Sequence, residues 1–170
     1  MARREILKYG HPVLAKPAEP VLEIDAEILK LAEDMVETMH TAPGIGLAAP
    51  QVNVSRRLIT IDLSVGEKRD DLIILINPEI IGQEGEVISE EGCLSVPDIQ
   101  ANVARPRKVT IKGLDIRGKE TVIQAEELLA RVFCHEIDHL NGKLFIERLS
   151  PLKKALVKKT LKKRLDTGRS

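Results

Sequence analysis

The sequence predicts an α+β fold, with mostly antiparallel strands around a central metal-binding helix and with N-terminal and C-terminal helices. Three observations predict it. Short apolar segments separated by Gly, Pro, Asn and Asp fill residues 57–124, the punctuation of strands joined by tight links. Helical periodicity flanks them on both sides and recurs after Pro151. Between them, Phe133-Cys134-His135-Glu136-Ile137-Asp138-His139-Leu140 sets two histidines four apart, which a helix stacks on one face with a carboxylate about 100° round. That is a geometry for holding a divalent metal.

A chain of 170 residues is one domain of ordinary size, long enough to fold on an apolar core alone. That core must be aliphatic, because there is no Trp, one Tyr and two Phe. The same scarcity removes the stacking platforms of single-stranded nucleic-acid binders, and nothing suggests specific DNA recognition. Two cysteines are too few for a disulfide framework, the first residues lack a secretory signal, and no apolar run is long enough to span a bilayer. The expected compartment is the cytoplasm. Net charge is zero but unevenly spread: eight Lys/Arg against Asp166 give residues 151–170 a charge of +7, so residues 1–150 carry −7.

From Ile6 to Pro20, three prolines and a glycine rule out a long regular element and predict an extended arm, with His11 in a turn. Asp25–His40 reads as a helix capped by Asp25, with Ile28, Leu31, Ala32, Met35 and Met39 on its buried face. It stops before Pro43-Gly44. The following Gly44-Ile45-Gly46 lets another chain approach the backbone closely, although an ordinary flexible loop has the same composition. Strands are expected at residues 57–62, 72–77, 86–89, 109–114 and 120–124, with hairpin turns at 66–71 and 117–119. The metal-motif helix is expected from about Ala125 to Asn141, closed by Gly142. Along it, Leu128, Val132, His135 and His139 fall within about 60° of one another, whereas Cys134 lies about 120° away and belongs to the core. Residues 151–165 read as a basic amphipathic helix with apolar positions at 152, 155/156, 161 and 165.

The unanswered position is the third metal ligand. A metzincin continues x-x-Gly-x-x-His; Gly142 fits, but Phe145 stands where the histidine should be. A thermolysin-like site wants a downstream carboxylate, and only Glu147 and Asp166 follow His139. His11 and His40 sit in unrelated contexts. Cys93 remains as the strong candidate, although a lone free cysteine is most often a small buried hydrophobe. A Cys-His-His set with a glutamate beside it and a position left for water suits metal-assisted hydrolysis. Two other readings stand beside it: a general His-Glu-x-x-His endopeptidase, and a ribosome- or RNA-binding protein that uses the 151–165 helix.

Taken together, Gly44-Ile45-Gly46-Leu47-Ala48-Ala49-Pro50-Gln51, Glu91-Gly92-Cys93-Leu94-Ser95 and His135-Glu136-Ile137-Asp138-His139 resemble the three signature motifs of the peptide deformylases, in order and in spacing. The resemblance runs from the Gly-His-Pro arm to Ser150-Pro151-Leu152. One departure is Cys134, where the family usually has Gln.

The resemblance implies an enzyme that hydrolyses the N-terminal formyl group from the formyl-methionine of newly made bacterial proteins and releases formate. It implies that Cys93, His135 and His139 bind one divalent metal, Fe²⁺ in the cell with Zn²⁺ or Ni²⁺ as alternatives, and that Glu136 is the acid/base. Gln51 and the backbone N–H of Leu94 would hold the oxyanion. Gly44, Ile45, Gly46 and Gly92 would line an extended formyl-methionyl peptide, with Leu128 and Val132 against the methionine side chain. Residues 1–150 would be the catalytic body, and residues 151–170 a basic helix and tail of the same domain; the charge of that tail, and not the resemblance, raises a contact with the ribosome, beside the plainer reading of a solvated charged face on a packing helix.

Overall fold

The computed structural model describes residues 2–167; Arg169, which contributes to the basic tail, lies outside them. Seven strands and three α-helices are present among these residues. In chain order they are α1 (Ala26–Thr41), β1 (Gly46–Ala48), β2 (Leu58–Ile61), β3 (Ile73–Glu84), β4 (Val87–Cys93), β5 (Val96–Arg105), β6 (Lys108–Leu114), β7 (Glu120–Glu126), α2 (Glu127–Leu140) and α3 (Pro151–Asp166). Five strands form an antiparallel sheet in the order β1-β2-β3-β6-β7, and β4-β5 form a separate antiparallel hairpin. The α+β class and antiparallel character agree with the sequence reading.

The five-stranded sheet lies between two helices. Successive strand residues face opposite sides, so Ile59 and Ile61 of β2 join Phe133, Ile137 and Leu140 of α2, while Leu58 joins Met35 and Met39 of α1. Strand β2 is therefore apolar at nearly every position and buried throughout. Helix α1 is capped as predicted, Asp25 Oδ1 accepting the Ile28 N–H at 3.0 Å. A third cluster joins the β4–β5 hairpin to Phe145, Ile146, Val157 and Leu161. The N-terminal arm is extended apart from a 3-10 turn at Pro12–Ala15, where His11 Nδ1 accepts the Val13 N–H.

Four local expectations need correction. Helix α2 starts at Glu127, not Ala125, because Ala125 and Glu126 remain paired to Val109 and Lys108 of β6. Strand β5 was not anticipated; its Pro97, Asp98 and Asn102 have poor strand propensity, and it exists because β4 supplies a partner from Val87 to Cys93. The glycine segment is not an irregular loop throughout, since Gly46–Ala48 pair with Ile59–Ile61. Finally, α3 does not bury the stripe expected of it: Val157 and Leu161 are buried, whereas Leu152, Ala155, Leu156 and Leu165 are exposed.

Candidate metal centre and cleft

Every residue of α2 from Ala130 to Leu140 is buried, yet five of them are Arg131, His135, Glu136, Asp138 and His139. Burying polar groups is costly unless each finds a partner, so such a helix signals a function or a tightly satisfied network. Here both hold. The helix is held at its C-terminal end by Arg57, which donates to the Leu140 carbonyl at 2.9 Å, and by Gly142, where a Cβ would come within 2.9 Å of the Ala15 carbonyl group. Gly142 has φ of 76°, the left-handed turn expected after the helix.

At the centre of the molecule, one donor atom each from Cys93, His135 and His139 lies within 4.8 Å of the others. Cys93 Sγ is 3.4 Å from His139 Nε2. His135 Nδ1 is engaged by Glu91 Oε1 at 2.9 Å, which fixes the ring and leaves Nε2 as its other nitrogen. Burial disfavours charge on His135, but hydrogen bonds to Cys93 and Glu91 and the charge of Glu136 outweigh that and push its pKa well up. His139 is driven the other way, well below the ordinary histidine value, by burial and by the neighbouring His135 and Arg105. A thiol and two imidazoles, one of them held neutral, are the donor set that suits a single divalent cation. Glu136 Oε1 is buried without a hydrogen-bond partner, as expected where a water completes the site, and His139 Nδ1, the ring nitrogen that does not face Cys93, is likewise without one. Burial pushes the Glu136 carboxyl up to about 7, where it both accepts and donates a proton near neutral pH.

Gln51 approaches from the other side. Its Oε1 accepts the Ala48 N–H at 3.0 Å, which turns Nε2 towards Ser95 Oγ at 3.1 Å and Cys93 Sγ at 3.6 Å. The N-terminal arm braces these pieces: Leu7 N–H donates to Gln51 O, Tyr9 N–H to Ser95 O and Ala18 N–H to Leu140 O. Gly46 lies against Glu136, and a Cβ there would meet Oε2 at 2.5 Å and Val132 at 2.9 Å. Strand β1 pairs only with β2 and β4 only with β5, so each keeps an open edge. Between these edges is a cleft of about 590 Å³, lined by Gly44, Ile45, Gly46, Gly92, Leu94 and other residues. Leu128 and Val132 line it too, Val132 buried and Leu128 half exposed at the mouth. All twelve residues singled out in the sequence therefore converge, His139 lying beneath the cleft on Cys93.

Cys134, by contrast, is core: it is buried, and desolvation pushes its thiol up to about 11. The sequence reading missed the charges behind the site. Glu91 accepts Arg105 Nε at 2.8 Å and Nη2 at 2.9 Å, together with Arg131 Nη1 at 2.5 Å. Burial raises the Glu91 carboxyl, yet Arg105 and His135 hold it far below the ordinary range. The only local signal was the alternation Ala101-Val103-Arg105 on one face of β5, in which a buried arginine looks like a strand end.

A buried helix that presents a glutamate beside three soft and borderline donors, under an open peptide-sized cleft, defines the class of metal-dependent hydrolases. Comparison with known proteins narrows this. Residues 3–155 match the family model for polypeptide deformylase. The peptide deformylase of Acidobacterium capsulatum is 52% identical over 168 residues, covering 99% of both chains. That of Thermodesulfovibrio yellowstonii is 53% identical over 162 residues, covering 95% of this chain and 98% of the relative. The crystal structure of a peptide deformylase from Legionella pneumophila superposes with a TM-score of 0.89 at 46% identity, covering 99% of this chain and all of the other. The chain belongs to the peptide deformylase family, hydrolases that remove the N-formyl group from nascent peptides.

Proposed function

We propose that this chain deformylates N-formyl-methionyl nascent peptides through a single centre made by Cys93, His135 and His139, with Glu136 as its acid/base. The observation that carries the reading is the convergence of those three donors within 4.8 Å beside a buried carboxylate whose Oε1 has no partner. A divalent ion held there would supply Lewis acidity and lower the pKa of water from 15.7 towards ~7. Iron is the ion we assign in the cell, since a thiolate with two imidazoles accepts several first-row ions and a reduced cytoplasm preserves the ferrous state; zinc and nickel suit the same donors.

The remaining steps belong to the protein. Gly44, Ile45, Gly46 and Gly92 present backbone groups from two open strand edges, and an extended peptide adds between them as a strand. Leu128 and Val132 receive the methionine side chain, an unbranched thioether suited to an aliphatic wall. Glu136, with its carboxyl near 7, takes the proton of the attacking water and delivers it to the departing amine, a contribution of roughly 10²- to 10⁴-fold. As charge grows on the formyl oxygen, the Gln51 amide and the Leu94 N–H donate to it. Each such donor is worth roughly 3 to 4 kcal/mol in comparable sites. The amide does so without titrating.

Residues 1–150 form the catalytic body and α3 belongs to the same domain, docked through Val157 and Leu161. Among the described residues no helix is long and apolar enough to cross a membrane, and we place the enzyme in the bacterial cytoplasm. Lys153, Lys159, Lys162 and Lys163 are exposed on α3, and we assign them to a ribosome contact. Changing these four to Gln should reduce co-sedimentation with ribosomes most strongly at low salt; undiminished binding removes α3 from that role.

The central test is release of formate from an N-formyl-methionyl tripeptide. Glu136→Ala should keep its metal and lose most turnover, and full activity would take Glu136 out of the mechanism. Cys93→Ala should lose metal, as read by elemental analysis; unchanged content would end the three-donor assignment.

A further inference from the structure

The buried charges behind His135 form a chain that reaches the surface. His135 Nδ1 contacts Glu91 Oε1 at 2.9 Å, and Arg105 grips Glu91 with two nitrogens at 2.8 and 2.9 Å. The remaining Arg105 nitrogen, Nη1, donates to Asp138 Oδ2 at 2.6 Å. Asp138 is in turn held by Arg148, whose Nη2 donates to Oδ1 at 2.7 Å and Nε to Oδ2 at 3.0 Å. Glu91, Arg105 and Asp138 are buried, whereas the Arg148 side chain is 44% exposed. Arg148 ends the 3-10 turn Phe145–Arg148, beyond the three motifs of the site.

Anchoring that turn does not require Arg148. Phe145 and Ile146 are buried in the third core cluster, and Glu147 pairs with Lys154 at 2.7 Å and Lys158 at 3.2 Å. What Arg148 alone supplies is a fork on both oxygens of Asp138, the geometry in which guanidinium and carboxylate fix each other's plane. With the fork in place, Asp138 takes a single donor from Arg105 and leaves the other two on Glu91. Without it, a buried carboxylate is short of donors and competes with Glu91 for Arg105.

We propose that Arg148 is a positioning residue for the metal centre, acting through Asp138, Arg105 and Glu91 on the orientation of the His135 ring. The proposal rests on His135 and Cys93 being ligands, as assigned above. Partners in direct contact with a ligand typically govern affinity by about 10- to 100-fold, and the three residues between Arg148 and His135 place Arg148 at the lower end.

The test uses the full-length protein, with Zn²⁺ affinity measured by competition against a chromophoric chelator and the visible spectrum recorded for the Co²⁺-loaded form. Arg148→Gln should bind Zn²⁺ about 10-fold more weakly and shift the Co²⁺ bands. Arg148→Lys, which keeps the charge and loses the fork, should fall between and carries the test if Arg148→Gln does not fold. Glu147→Gln loosens the same turn without touching Asp138 and should leave both readouts unchanged; an equal loss there would assign the effect to the turn and overturn the relay. Cys93→Ala separates the two levels of the argument. If it loses Zn²⁺ while Arg148→Gln and Arg148→Lys match the parent, the relay is wrong and the ligand set stands; if Cys93→Ala also matches the parent, the ligand set itself is wrong.

Discussion

At Gly46 the backbone packs directly against Glu136. A methyl group there would meet Glu136 Oε2 at 2.5 Å and Val132 Cγ1 at 2.9 Å, distances that force a neighbour to move. Both neighbours sit on a buried helix with little freedom to retreat. Gly46→Ala should therefore displace the carboxylate and lower kcat/KM by about 10²-fold, the cost of misplacing a catalytic group by about an ångström. Metal content, set by residues elsewhere, should stay at the parent level. Steady-state kinetics and elemental analysis on the same preparation check both halves. The requirement at this residue is steric: φ at Gly46 is not in the left-handed range, unlike that of Gly142.

At the scale of elements, α1 and α2 are built on different principles. Helix α1 is amphipathic, with Ile28, Leu31, Met35 and Met39 buried against the sheet and its charged residues, apart from the buried Asp34, facing solvent. Its first turn relies on Asp25, whose Oδ1 accepts the Ile28 N–H. Asp25→Ala should cost about 1 kcal/mol, seen as a lower denaturant midpoint with an unchanged slope. Helix α2 has no solvent face along Ala130–Leu140, so Arg131, His135 and Asp138 are partnered by other elements: Glu91 from β4, Arg105 from β5 and Arg148 beyond the helix end. This explains why β5, a strand poor in strand-forming residues, is kept: it delivers Arg105 between Glu91 and Asp138.

For the whole molecule, two buried carboxylates outside the site, Asp34 and Asp62, tie distant segments together and add to the response to acid of Glu91 and Asp138. Asp34 on α1 is pushed up by burial, but the Ala2 N–H and Arg4 outweigh this and hold it below the ordinary range. Asp62, at the end of β2, is likewise raised by burial and lowered further by Ser64, His40 and the Gly66 N–H. Both folded values lie below the unfolded value near ~3.9. Each carboxylate therefore adds stability that is fully present above that value and is lost as pH falls through its folded value. The denaturation midpoint should drop below about pH 4, with the arm and α1 involved. Asp34→Asn should be less stable by about 2 kcal/mol at neutral pH and show a shallower acid slope. An unchanged slope would mean that Asp34 titrates normally in the folded chain.

Much of the site could be read from residue order because its chemistry sits in contiguous runs. His135, Glu136 and His139 share a helix whose periodicity is local, and Gly44–Gln51 and Glu91–Ser95 are short enough to recognise as units. The cap at Asp25, the core role of Cys134 and the turn at Gly142 are likewise decided within a few residues. What only the tertiary structure decided are matters of pairing across the chain. The start of α2 is set by the register of β7 on β6, β5 depends on β4, and the buried face of α3 is chosen by the hairpin it packs on. The charged relay from Arg148 to His135 joins residues 91, 105, 138 and 148. No periodicity relates those positions, because a hydrogen bond between buried side chains depends on where the backbone brings them and not on how far apart they are in sequence.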